Sequence, residues 1–596
     1  MTFLGVIWTN GYQNEGILSK ATQLIQESNK AGLVHKIKLS NLNVFLSPGL
    51  AFQSHTLSHE QELLLLGEVH ENSELSIGKN YQFNTNIDEI ATRYWGNYIA
   101  VQSRQHKIEI FKDPVGHLPC YYFDNKEESC VIFTNELIYL FKLLALKPRL
   151  NQKYLLDFLV GLFGSPHLSS DSAFEGVYSI PQACCISFET SGTISSKLAW
   201  DVQRFVQTSD PFSALRNLEK IPETLQFVTK RLLKDKKNIF LDFSGGLDST
   251  AILYAAKLCL SNGQTLKAIN ISHPTINSSN ELIYAKKIAK ELEIELIEYD
   301  ISGSMPFSSV SESAFFPNMP DTSLVRVKIE LDLINRFMSS GESLFIAGEG
   351  GDHLFMCPPA IESLCDSFLD RNFSGFFQKS KELSSIHRVH IWRILKVFIK
   401  NMFYYYNKRY PYGLDKLSET WFSEKLLEHV KLLKTFSHPC YQTDEKFGLQ
   451  PGKFFQIEAL FHALASVSGS MRGQYVSYPL LSQPIAELAL SIPTYLMYNK
   501  THDRFLFRKS ISDYFNTDNV WRKSKGEVTG VNQLGIKENK TYILEKCLEG
   551  YLSKNKFINK DYLKQCIELS CLGQYSGQSI MNLVALESFV EAWKDF

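Results

Sequence analysis

Ser244-Gly245-Gly246-Leu247-Asp248-Ser249 combines residue types able to hold a phosphate together with its cation. Two consecutive glycines let the backbone come close to an anion. Ser244 and Ser249 add hydroxyl donors, and Asp248 offers a carboxylate that can hold Mg²⁺ against phosphate oxygens. A second string, Gly348-Glu349-Gly350-Gly351-Asp352-His353, repeats the pairing of a glycine turn with an acid. Asp352 is a second carboxylate for the same Mg²⁺, which takes one or two protein oxygens and fills its other positions with phosphate and water. Neither string contains Gly-Lys-Ser/Thr, so this is not a Walker loop.

Both strings follow apolar runs that read as strands. Ile239 to Phe243 leads straight into the first, and the helix-forming run Ala251 to Ala256 follows it. In strand, glycine turn and helix, the first helical turn points unpaired N–H groups and a positive dipole end at the turn. Further apolar runs at Leu266–Ile271, Ile294–Glu298 and Ser343–Ala347 are separated by helix-length segments, the pattern of a parallel, doubly wound sheet. Ligands of such sheets lie at the carboxyl ends of the strands, so the two turns are expected to face each other and bring Asp352 near Asp248. Between them, Leu282, Ala285, Ile288, Ala289 and Leu292 share one helical face, with Lys286, Lys287 and Lys290 on the other.

The flanking regions differ in texture. Residues 1 to about 200 read as short strands with turn punctuation, among them Ile108–Phe111 and Val131–Thr134. A polar stretch around Gln207-Thr208-Ser209-Asp210-Pro211 marks the boundary, giving domains 1–205 and 206–596. Beyond residue 355 the chain reads as mostly helical. The aromatic and basic segment from Trp392 to Tyr410 is expected to be a plain buried helix, ahead of a contact with membrane or peptide. His387 and His390 read as a helix surface rather than half a metal site.

A chain of 596 residues with 44% hydrophobic and 21% charged residues and a net charge of -1 is of globular composition and large enough for more than one core. That charge points to neither a nucleic acid nor an anionic membrane as partner. Eleven cysteines without Cys-x-x-Cys spacing read as reduced thiols in a cytoplasm. No signal peptide and no transmembrane segment is expected.

The first string resembles the PP-loop of N-type ATP pyrophosphatases, and the two strings together resemble the asparagine synthetase family, except that His353 stands where that family has an acid. The resemblance extends to Tyr94–Ala100, Asp113–Pro119, Phe133–Glu136 and Phe174–Val177, which look like the family's glutaminase domain. It implies an α+β Ntn-hydrolase-like sandwich of the class II glutamine amidotransferase type. A PP-loop, adenine nucleotide alpha hydrolase-like α/β domain with a helical C-terminal part would follow. It also implies ATP and Mg²⁺, with nucleotide contacts from Leu241, Ser244 to Ser249, Ile271 and Gly348. A glutaminase of this kind needs a cysteine after the initiator Met; Thr2 stands there, and no cysteine precedes Cys120. The amine is therefore expected from another substrate.

The order of Pro451-Gly452-Lys453, Tyr478-Pro479-Leu480-Leu481-Ser482-Gln483-Pro484, Asp503-Arg504, Arg508 and Arg522-Lys523-Ser524-Lys525-Gly526 is similar to that of the lasso-peptide macrolactam synthetases. Those cyclases close a ring between a peptide's N-terminal amine and an Asp or Glu side chain. The resemblance implies a precursor peptide as substrate and a leader peptidase and leader-recognition protein as partners. In that chemistry Lys525 is expected to stabilise developing negative charge, and Glu349 to orient or deprotonate the attacking amine. The competing expectations are a β-lactam synthetase, an ammonia-dependent asparagine synthetase and a non-catalytic peptide-binding scaffold.

Overall fold

The short strand-like runs of the first two hundred positions become two six-stranded antiparallel sheets in the computed structural model. The structure describes all residues except 1, 10–12, 30, 40, 59–60, 73–85, 105, 161–168, 207–210, 277–280, 309–315, 339–340, 408–418, 433–437, 439, 441–448, 523–528 and 576. One sheet runs in the spatial order Tyr178–Ser179, Tyr121–Asn125, Cys130–Thr134, Phe3–Trp8, Leu42–Leu46, His35–Leu39. The other runs Ile194–Leu198, Cys184–Glu189, Lys107–Lys112, Tyr94–Arg104, Gln61–Glu71, Phe52–Ser58. Phe3, Ile7 and Val44 from the first meet Leu64, Ile99 and Ile110 from the second, so the two form a sandwich.

Both sheets are covered on their outer faces as well. Leu63 and Leu65 point away from the sandwich core and join Leu225, Leu253 and Ile485 from later in the chain. Leu4, Val6 and Trp8 do the same on the other side, packing with Val584 and Phe589. Two buried faces explain why Phe3–Trp8 and Leu63–Leu66 are continuous apolar runs rather than alternating ones. The expected boundary at 205/206 falls inside the short helix Gln203–Val206, and residues 207–210 lie outside the described residues.

The chain beyond residue 206 builds a five-stranded parallel sheet. Its strands are β1 (Asn238–Asp242), β2 (Thr265–Ser272), β3 (Glu295–Asp300), β4 (Ser343–Ile346) and β5 (Val476–Ser477), in the order β3-β2-β1-β4-β5. The four expected strands are present within a residue or two. β5, only two residues long, has no periodicity to read. Because the chain leaves β1 toward β2 on one side and returns to β4 on the other, the switch point lies between the carboxyl ends of β1 and β4.

Helix α1 (Leu247–Cys259) follows β1, α2 (Leu282–Glu291) follows β2, and α3 (Val327–Phe337) precedes β4. Ala285, Ile288 and Ala289 of α2 are buried while Lys286, Lys287 and Lys290 are exposed, as their spacing predicts. Beyond residue 355 the described chain is mostly helical, including α4 (Phe373–His387) and α5 (Ile391–Tyr406). The expectation of a buried helix from Trp392 to Tyr410 is corrected here. Ile394, Asn401, Met402 and Tyr405 are buried, but Trp392 is 74% exposed and Ile399, Phe403 and Tyr406 are exposed too. The apolar residues of α5 are too many for one buried stripe, so a second apolar face turns to solvent. Residues 408–410 lie outside the described residues.

All eleven cysteines are free thiols. Among the described residues no helix is long and apolar enough to cross a membrane.

Candidate active site

The turn after β1 is held from the β2 side. The Asn270 side-chain amide donates to the Phe243 carbonyl at 2.8 Å, and the Phe243 N–H donates to the Ile269 carbonyl at 2.7 Å. Gly245 then adopts φ +74°, a left-handed conformation that favours glycine, and a Cβ there would lie 2.9 Å from the Ala285 backbone nitrogen of α2. Gly246 caps α1 without a side-chain acceptor, and its own N–H donates to Ser244 Oγ at 3.1 Å. Ser244 Oγ and Ser249 Oγ lie 3.3 Å apart. The first turn of α1, bearing Asp248 and Ser249, thus opens onto the crevice.

The second turn packs directly against the first. A Cβ on Gly351 would lie 2.1 Å from Asp248 Oδ1, and one on Gly348 3.2 Å from the Ser249 nitrogen. These glycines let the two turns touch. Gly351→Ala should therefore push Asp248 aside without unfolding the sheet and lower any turnover that depends on Asp248 by on the order of 10²-fold, the loss that a displacement of about 1 Å can bring in an active site. Steady-state kinetics with an unchanged thermal melt would check this; wild-type turnover would mean that Asp248 tolerates the displacement.

Arg504 joins the two acids. Its Nη1 lies 2.8 and 2.7 Å from the two Asp248 oxygens and 2.7 Å from Asp352 Oδ1. The expected approach of Asp248 and Asp352 is thus observed: both carboxylates converge on one nitrogen. The Arg504 side chain is 3% exposed, and its backbone is left-handed at φ 47°, a strained conformation for a non-glycine residue that costs on the order of 1–3 kcal/mol. Burial opposes its charge, but Asp248 and Asp352 more than offset this, so its proton is held more tightly than usual. Asp503 is fixed by Arg508 Nη2 at 2.9 Å and by the Cys357 thiol at 3.2 Å.

Together these groups line a cavity of about 310 Å³, a small-ligand size. Its walls include all six residues from Ser244 to Ser249, together with Gly348, Glu349 and Asp352. Arg504, Arg508 and Arg522 line it too. Leu241 and Ile271 do not line it. Leu241 is fully buried in the main core, and Ile271 packs at the edge of a separate apolar cluster with Ile269 and Tyr299. Lys525 lies outside the described residues. Pro451 and Lys453 are buried elsewhere, with the Lys453 ammonium donating to the Leu490 and Ile492 carbonyls at 2.5 Å.

Glu349 faces the open cleft, yet its surroundings hold its carboxyl up at about 6, through burial first and the Asp242 charge second. Asp242, at the end of β1, is itself raised by burial, with Arg472 working the other way at 3.9 Å. Arg472 also pairs closely with Glu330. In the sequence Asp242 is a strand residue without a role, and Arg504 and Arg508 stand only in a family-like string. The available signal was an acid at a strand end two residues before Ser244.

A site able to hold Mg²⁺ needs convergent oxygens and an electrostatic demand for a cation. The pair Asp248 and Asp352 meets both conditions, because a buried guanidinium already answers that demand. Among the described residues no three or more His, Cys, Asp or Glu are grouped so that they could hold a metal ion.

The family model for asparagine synthase matches residues 220–446 and 469–594. The microcin J25-processing protein McjC of Escherichia coli is 21% identical over 295 residues. That match spans 49% of this chain and 49% of McjC, about half the length of each. Among solved structures, an allosteric regulatory enzyme of purine biosynthesis is 10% identical over 52% of this chain and 82% of its own, with a TM-score of 0.21. A glutamine phosphoribosylpyrophosphate amidotransferase from B. subtilis is 8% identical over 52% and 83%, with a TM-score of 0.19. Scores that low carry no argument about fold.

Proposed function

Starting from the fact that the chain belongs to the asparagine synthase family, we propose that it closes a macrolactam ring on a ribosomal precursor peptide, activating an Asp or Glu side chain with ATP and joining it to the peptide's N-terminal amine. The observation that carries this reading is the convergence of Asp248 and Asp352 on one cation position between two glycine turns. The similarity to a microcin J25-processing protein supports a peptide as substrate.

A carboxylate is displaced by an amine only after one of its oxygens becomes a good leaving group. In the proposed reaction a carboxylate oxygen attacks the α-phosphorus of ATP, the α–β phosphoanhydride bond breaks and pyrophosphate leaves. Mg²⁺, when bound, neutralises charge on the phosphate chain. Ser244, Ser249 and the first-turn N–H groups of α1, which line the cavity, would hold the phosphates, and Asp248 and Asp352 would hold the cation. The peptide amine then attacks the acyl carbon, AMP departs, and the amine proton passes to Glu349. Lys525 is assigned to the negative charge on the phosphate and the tetrahedral carbon. A leader peptidase and a leader-recognition protein would prepare the peptide.

A base must be ionised to accept a proton, and Glu349 ionises through about 6. The ring-closing rate should therefore rise with pH through about 6, and Glu349→Gln should remove that limb. Asp242→Asn removes a negative neighbour, so the limb should move to lower pH. A pH–rate profile with the same limb in Glu349→Gln would assign the proton transfer elsewhere.

The reading as a whole is tested by incubating the protein with ATP and candidate peptides. Peptide-dependent release of AMP and pyrophosphate, with a product lighter by one water, is expected. ATP cleavage to ADP, or no mass loss with any peptide that stimulates cleavage, would overturn it.

A further inference from the structure

Helices α4 and α5 have no role in the chemistry above, and their solvent face is unusual for this protein. Six of the eighteen large apolar side chains exposed among the described residues lie on these two helices: Phe373, Phe377, Trp392, Ile399, Phe403 and Tyr406. On α5 the last four recur at helical spacing and share their face with exposed Arg393, Lys396 and Lys400. From Trp392 to Tyr406 that stripe runs about 20 Å at 1.5 Å per residue. Residues 371–407 contain seven Lys or Arg and a single acid, Glu382, which is buried and paired with Lys379 at 2.7 Å. A segment this basic stands out in a chain whose net charge is -1.

We infer that the exposed face of α4 and α5 is a peripheral docking surface for an anionic lipid bilayer. A bilayer interface takes Trp, Tyr and Phe into its headgroup region while its lipid charge attracts the interleaved lysines and arginines. A second copy of the chain docked through the same face would set basic residues against basic residues across a two-fold axis. The helices are also tied to both sides of the nucleotide cleft. His387 Nε2 meets the Pro359 carbonyl at 2.8 Å, Asn401 donates to Glu362 at 2.8 Å, and Lys379 donates to the Tyr498 carbonyl at 2.7 Å. Pro359 and Glu362 follow the second glycine turn, and Tyr498 precedes Arg504. Docking through this face therefore sets the orientation of the active site relative to the lipid surface.

The test is sedimentation of the full chain with vesicles of phosphatidylcholine alone or with about a third phosphatidylglycerol. Binding to the anionic vesicles only, weakened by salt, is expected. The variants Trp392→Ala/Phe403→Ala and Lys396→Glu/Lys400→Glu should each weaken it by about tenfold or more while leaving the thermal melt in place, because these side chains are exposed. Absence of binding by the wild-type chain would overturn the inference. So would retention by the aromatic variant, which would reduce the effect to nonspecific charge attraction. A concentration-dependent dimer abolished by the same substitutions would assign the face to self-association instead.

Discussion

Asp248→Asn should lower ATP-dependent AMP release by about 10²–10³-fold, the usual loss when one preorganised electrostatic contact at a reacting phosphate is removed. The substitution preserves shape, so the contact of Asp248 with Gly351 is not crowded further. Arg504 keeps Asp352 as a charged partner, so the melt should move little. Asp352→Asn should behave similarly. Asp248→Ala is the harsher variant, since it removes the side chain that fills the space against Gly351. Wild-type AMP release from either Asn variant would mean that these acids do not serve the phosphate chain.

The second large effect concerns Arg504. Replacing it with Met leaves two carboxylates facing each other in a largely buried site with nothing positive between them. Breaking a buried pair by removing one partner costs about 3–5 kcal/mol, and partial access to solvent brings this toward the lower end. In buffer free of divalent cations the variant should therefore melt well below the wild type. Mg²⁺ alone should restore part of the loss, with a larger rise in melting temperature than it gives the wild type. Equal Mg²⁺ responses in the two proteins would mean that the guanidinium and the metal do not compete for one position.

Much of this arrangement is legible in the residues because both turns follow buried parallel strands. Ile239–Phe243 and Ser343–Ala347 had to be strands from their apolar runs, and the geometry of a doubly wound sheet then brings Asp248 and Asp352 together. Arg504 was not legible in the same way. It lies far along the chain, and its approach depends on a left-handed turn at a non-glycine residue that no local pattern announces. Glu349 could be recognised as an acid beside the turn, but its elevated proton affinity depends on desolvation by the cleft walls around it and on the charge of Asp242, which only the fold brings there. The exposed face of α5 was not legible, because composition alone does not say how many sides of a helix meet the core. Aromatic side chains on two sides of one helix cannot all reach the same core.

The packing around Trp593 bears on how this protein can be cut. The indole donates to the Pro317 carbonyl at 2.8 Å and sits edge-on to Phe141, Phe174 and Phe316, so one side chain fastens a late helix to both an early domain and the middle of the chain. Neither half should then be obtainable as a free-standing fragment. Separate expression of 1–205 and 206–596 should yield insoluble material, whereas mixing the two during refolding should recover a soluble pair.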